Sequence, residues 1–120
     1  MPKTEVVFYA EKGNSPPVKW MVDLPSKVQD KFYVLIGHLE ENGSNLKRPY
    51  AAPLRDKIYE LRARHQNVNF RLLYFFHKNV AAVLAHGCTK EEAVDDSDID
   101  RAIERRKKFV HDPDAHTYID

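Results

Sequence analysis

Apolar residues open the chain in a continuous run, Val6-Val7-Phe8-Tyr9, so the spacing predicts a first strand over Glu5 to Ala10. Lys12-Gly13-Asn14-Ser15 has the composition of a turn. Ser15 followed by Pro16-Pro17 suits the start of a short helix through Trp20 and Val22, with the serine as cap and proline in the first turn. Pro25 interrupts it. A second helix then runs to about Glu41, because Val28, Phe32, Leu35, Ile36 and Leu39 fall on one helical stripe. Asn42-Gly43 stops it.

Residues 44–56 read as a polar connection broken by Pro49 and Pro53. Three strands follow: Lys57 to Arg62 alternates, Val68 to Phe76 is rich in aromatics, and Val80 to His86 is short and apolar. The short loops between them, 63–67 and 77–79, predict an antiparallel meander. Asp95-Asp96-Ser97-Asp98 opens a last helix, with Ile99, Ala102, Ile103 and Phe109 or Val110 as its partial stripe. Acids at its start and Arg105, Arg106, Lys107 and Lys108 at its end both suit the helix dipole. The expected fold is a small α+β domain of order β-α-α-β-β-β-α, its meander packed against a helical pair. It spans residues 1–110, with 111–120 as a loose tail.

At 120 residues the chain has material for one core. It has no apolar run of the roughly 18 residues that a membrane helix needs. The first apolar run is too short for a signal-peptide core, so the expected location is the cytoplasm, with no membrane partner. Cys88, the only cysteine, excludes an intrachain disulfide and reads as a small core residue. No zinc-ligand spacing occurs, so neither a metal nor another cofactor is expected.

The net charge of +1 conceals an uneven distribution. Residues 47–78 hold eight basic groups (Lys47, Arg48, Arg55, Lys57, Arg62, Arg64, Arg71, Lys78) against the acids Asp56 and Glu60, while 91–100 hold six acids and no base. A basic middle of this kind fits either a polyanionic partner or a solvated charged face. The hairpin sharpens the choice. A register pairing Leu61 with Leu72 also pairs Tyr59 with Tyr74, and it sets Arg62 opposite Arg71 on the other face. Like charges directly opposite destabilise a sheet. Either a bound anion compensates, for which two arginine forks suit a phosphate, or a carboxylate such as Glu60 or an acid of the last helix occupies the spot. Most of Tyr59, Phe70, Tyr74, Phe75 and Phe76 must be core, since so small a sheet needs a buried face. Tyr50 is freer to stack on a base.

The run Leu54-Arg55-Asp56-Lys57-Ile58-Tyr59-Glu60-Leu61-Arg62, then Phe70-Arg71-Leu72-Leu73-Tyr74-Phe75-Phe76 and Leu84-Ala85-His86-Gly87, resembles the RelE/ParE toxin superfamily, most of all its phage-derived HigB-like branch. The Pro17-Val18 helix entry, the Glu41-Asn42-Gly43 stop and Asp98-Ile99-Asp100-Arg101-Ala102 fit as well, over about residues 5–106. The resemblance implies a RelE-like fold and the toxin of a type II toxin–antitoxin system. The implied activity is ribosome-dependent, metal-independent mRNA cleavage, in which the RNA's 2′-hydroxyl attacks the adjacent phosphorus. The implied partners are the ribosome, mRNA and a cognate antitoxin of helix-turn-helix type. The family's catalytic positions fall on Arg62, Arg71 and Lys90, with Lys47, Arg48, Arg55, Lys57, Arg64 and His65 as the surrounding RNA-binding set. The chain departs from the branch where Cys88 replaces an aromatic and Glu91 a second lysine, which leaves the general base and acid unassigned. Two alternatives stay open: a toxin-derived binding module without catalysis, and a gyrase-inhibiting toxin of the same superfamily.

Overall fold

The computed structural model describes residues 3–78, 81–89 and 93–119. β1 (Glu5–Phe8) leads to α1 (Pro16–Val22) and α2 (Ser26–Asn42), followed by β2 (Ala51–Pro53), β3 (Tyr59–His65), β4 (Val68–His77), β5 (Ala81–Thr89) and α3 (Asp96–His111). Ser15 caps α1 by accepting from the Val18 amide at 3.3 Å, as its position before the two prolines predicts. Gly43 ends α2 at φ 54°, a left-handed conformation that suits glycine.

The strands form one five-stranded sheet in the order β1-β5-β4-β3-β2. The meander β3-β4-β5 is antiparallel, and Gln66 and Asn67, both at positive φ, make the tight turn between β3 and β4. The loop expected over 63–67 therefore shrinks to two residues, because β3 continues to His65. Two further features differ from the expected order. The connection 44–56 contains β2, which pairs with Tyr59–Leu61. β1 pairs with β5 in parallel, so the sheet is mixed. The described residues thus form a small α+β domain with three α-helices and a five-stranded mixed sheet.

Helices cover both faces. Val28, Phe32, Leu35 and Leu39 of α2 pack with Leu61, Leu72, Tyr74 and Leu84 in one cluster. Ile99, Ala102 and Phe109 of α3 pack with Ile58, Leu73, Phe75 and Val83 in a second. The alternation of β3 and β4 sends Leu61, Leu72 and Tyr74 to α2 and the intervening residues to the α3 side. In β5 a bulge changes that parity. Leu73 opposes His86 while Tyr74 opposes Leu84, so Ala85 is the extra residue. Val83 and Ala85 face α3, and after the bulge Cys88 does too. Gly87 turns to the other face, where a Cβ would lie 2.2 Å from ring atoms of Trp20.

The C-terminal residues expected to be loose are tied to β1. Ala10 N–H donates to the His116 carbonyl at 2.9 Å, Tyr118 N–H donates to the Phe8 carbonyl at 2.8 Å, and the His116 ring stacks on Tyr9. Val110 is exposed and Phe109 takes the core position of α3. Among the described residues, no helix is long and apolar enough to cross a membrane.

Candidate active site

The α3 side of the sheet carries the polar residues of the strands. In register across it lie Arg62 of β3, Arg71 of β4 and Cys88 of β5, and in the next row Glu60, Leu73 and His86. The opposition of Arg62 and Arg71 is therefore real, and the like-charge problem has a visible solution. Arg71 Nη1 donates to both carboxylate oxygens of Glu60, at 2.9 and 2.8 Å. Both residues are buried, at 5% and 4% exposure. A buried arginine needs such a partner, since an uncompensated charge out of water costs several kcal/mol. The carboxylate alternative thus holds for Arg71.

Arg62 is different. It is half-buried, and among the described residues no carboxylate lies within ion-pair distance of it. It sits where β2 has ended, so its strand is at the sheet edge, and it borders a shallow recess with Arg48, Tyr50, Ala52 and Glu60 that is too tight to admit a water-sized group. Arg62, Glu60 and the Arg48–Ala52 segment thus meet at one recess, with Arg71 buried beneath it on Glu60.

The remaining basic candidates divide. Arg55 is committed to the fold: it pairs with Asp56 at 2.7 Å, Asp96 at 3.2 Å and Asp100 at 2.7 Å, which ties the β2–β3 connection to α3. Its guanidinium is held further above its ordinary pKa, first by Asp100 and then by Asp56. Arg106 reinforces this junction by donating to the Asp56 carbonyl. Lys47, Arg48, Lys57 and Arg64 are exposed and His65 is half-buried. Arg64 and His65 lie at the hairpin end of β3, where Arg64 reaches Asn67 at 3.4 Å. Lys90, with Glu91 and Glu92, lies outside the described residues. Of the acidic stretch, Asp96 and Asp100 hold Arg55 and Asp98 holds His86.

His86 ends the polar row. Its Nε2 is 2.8 Å from Asp98 Oδ1, and Arg105 Nη1 approaches its Nδ1 at 3.5 Å. A guanidinium donor on Nδ1 assigns the imidazole proton to Nε2, which donates to Asp98. Burial holds the imidazole below its ordinary pKa, with Arg105 and Arg101 adding to that and Asp98 opposing it. His86, Cys88 and Asp98 also offer potential metal-ligand atoms within 4.8 Å of one another. A metal on Nε2 would push the proton to Nδ1, against the Arg105 N–H groups, so this donor set fits a clasp between β5 and α3 better than a metal centre.

A pH prediction follows. The unfolded imidazole titrates near 6.5, and the folded one titrates lower. Just below about pH 6.5 the unfolded chain binds more protons, so acidification through that window removes stability. Thermal melts between pH 7.5 and 5 should show a fall in Tm that is shallower in His86→Asn. Equal slopes in the two proteins would refute the assignment.

Sequence reasoning missed Arg105. It reads as one of four terminal cations, yet it is 8% exposed, donates to the Ala85 carbonyl at 2.7 Å and lies over the Tyr9 ring. Its helical spacing from Ile99, Ala102 and Phe109 is the available signal. The α2 residues bordering Arg62 carried no such signal.

Comparison with known families matches residues 19–107 to the family described as Phage derived protein Gp49-like (DUF891). No curated protein is matched by the chain. The matched span includes α2, the whole meander, Arg62, Arg71 and most of α3. The chain belongs to the phage-derived Gp49-like family, within the RelE/ParE-like toxin superfamily.

Proposed function

We propose that the protein is the toxin of a type II toxin–antitoxin pair and cuts mRNA on the ribosome in the cytoplasm. The observation that supports this best is Arg62, a cation that holds no ion pair among the described residues and lies in register with Arg71 on a polar sheet face, in a chain of this superfamily. In this reading the RNA 2′-oxygen attacks the neighbouring phosphorus, the 5′-oxygen leaves, and a 2′,3′-cyclic phosphate remains on the upstream fragment. Arg62 stabilises the charge that builds on the phosphoryl oxygens. Arg71 is largely neutralised by Glu60 and fixes the sheet face behind Arg62, and Lys90 is the candidate second cation. The proton donor and acceptor are unassigned. The expected partners are the ribosome, mRNA and a helix-turn-helix antitoxin. The HigB-like branch and a RelE-like fold belong to this proposal.

The buried Glu60–Arg71 pair favours a second reading, a toxin-derived binding module without catalysis, because it commits half of the expected phosphate grip to the fold. Induced expression separates the two. Growth arrest with new 5′ ends in translated mRNA, mapped by primer extension, is the expected result. Unimpaired growth would sink the toxin reading and leave the binding module, whereas arrest with broken DNA and intact mRNA would point to gyrase poisoning.

A further inference from the structure

β2 pairs only with Tyr59–Leu61, so the Arg62–His65 end of β3 is left at the sheet edge above α2. A groove of about 370 Å³ opens there. Its base is apolar, from buried Leu35 and Ala63. Tyr50 forms one side. It stays 43% exposed, and His38 of α2, which also lines the groove, lies against it, with ring centroids 4.6 Å apart and planes 36° apart. Arg62, Arg64 and Asp30 border the groove. Lys31 also borders it, but its ammonium donates to the Arg64 carbonyl and so holds α2 to the strand.

An exposed aromatic ring paired with a histidine, an apolar base and bordering arginines form a specific combination. Single-stranded RNA offers its match: a flat base joined through a sugar to a phosphate. An apolar peptide would use the base of the groove but leave the arginines unanswered. Tyr50 and Arg62 line both this groove and the shallow recess beside Glu60, so the two residues are neighbours at the strand edge, where a base and its phosphate would meet them together.

We propose that the groove between α2 and the edge of β3 is a nucleobase subsite, in which Tyr50, paired with His38, stacks on the base next to the phosphate held by Arg62. This rests on the RNA reading above but not on cleavage. The test is fluorescence anisotropy at low salt, using the full chain and a labelled single-stranded RNA hexamer. A matched set of hexamers carries one abasic site at each position in turn. For the wild-type chain one abasic position should weaken binding about 5- to 150-fold, the range that base–aromatic stacking spans. Tyr50→Leu should lose a similar factor on the intact hexamer and respond little to that abasic site. Tyr50→Trp, which restores a stacking face, should bind like wild type. Arg62→Ala should instead reduce the salt slope, log K against log[salt], by about 0.7, the value of one phosphate contact on a single strand. Tyr50→Leu keeping wild-type affinity, or keeping the full abasic penalty, overturns the subsite alone. A wild-type chain that holds no RNA hexamer overturns the subsite, whereas the ribosome-dependent reading stands or falls with growth arrest and primer extension.

Discussion

Arg62→Ala is expected to abolish growth arrest on induced expression and to lower mRNA cleavage by about 10²- to 10³-fold, the usual cost of removing one preorganised donor to a developing oxyanion. Its Tm should stay close to that of wild type. Arg62 is half-buried and, among the described residues, holds no carboxylate in an ion pair, so its removal strands no buried charge. Arg62→Lys should recover only part of the activity, since an ammonium keeps the charge but loses the planar fork. Cleavage measured by primer extension and stability measured by thermal melting separate the two effects. Full activity in a folded Arg62→Ala protein would remove Arg62 from the reaction. A large fall in Tm would mean that its contribution is structural.

The reverse pattern is expected across the hairpin. Glu60→Leu or Arg71→Met alone should cost about 3–5 kcal/mol in urea unfolding, because each leaves the other charge buried without this partner. The double replacement should recover most of that loss, since apolar groups of similar volume often substitute for a buried ion pair without penalty. Single variants as stable as wild type would show that the pair is not sequestered from water. The double variant also decides what Arg71 does besides folding. If it is stable and still arrests growth, the Arg71 charge is structural only. If it is stable and inactive, the Glu60–Arg71 pair contributes to the phosphate site. No single substitution makes this distinction, because losing Arg71 alone confounds folding with function.

Much of the fold was legible because its determinants are local. The 3.6-residue stripe of Val28, Phe32, Leu35 and Leu39 predicts α2 and its buried face. Alternation in β3 and β4 predicts the register in which Leu61 meets Leu72 and Arg62 meets Arg71, because slipping one residue would send every apolar group to the wrong face. β2 escaped notice for the opposite reason. Ala51, Ala52 and Pro53 are too few and too small to carry a period, and their strand character comes from pairing with Tyr59–Leu61. The parallel join of β1 to β5 also lies beyond local pattern, since it depends on α1 and α2 carrying the chain between distant segments.

The candidate site divides along the same line. By itself the sequence determined that two arginines oppose each other on one sheet face, because a period of two leaves side chains no other direction. It also determined that something negative must answer them. Only the tertiary structure decided what answers which. Glu60 reaches across to Arg71, Asp96 and Asp100 take Arg55, and Arg62 is left at the edge beside Tyr50 and α2. Those outcomes depend on where β2 stops, on the bulge at Ala85, and on how deeply α3 covers the sheet. Each is set by packing between segments far apart in the chain, where the cost of burying a charge selects its partner.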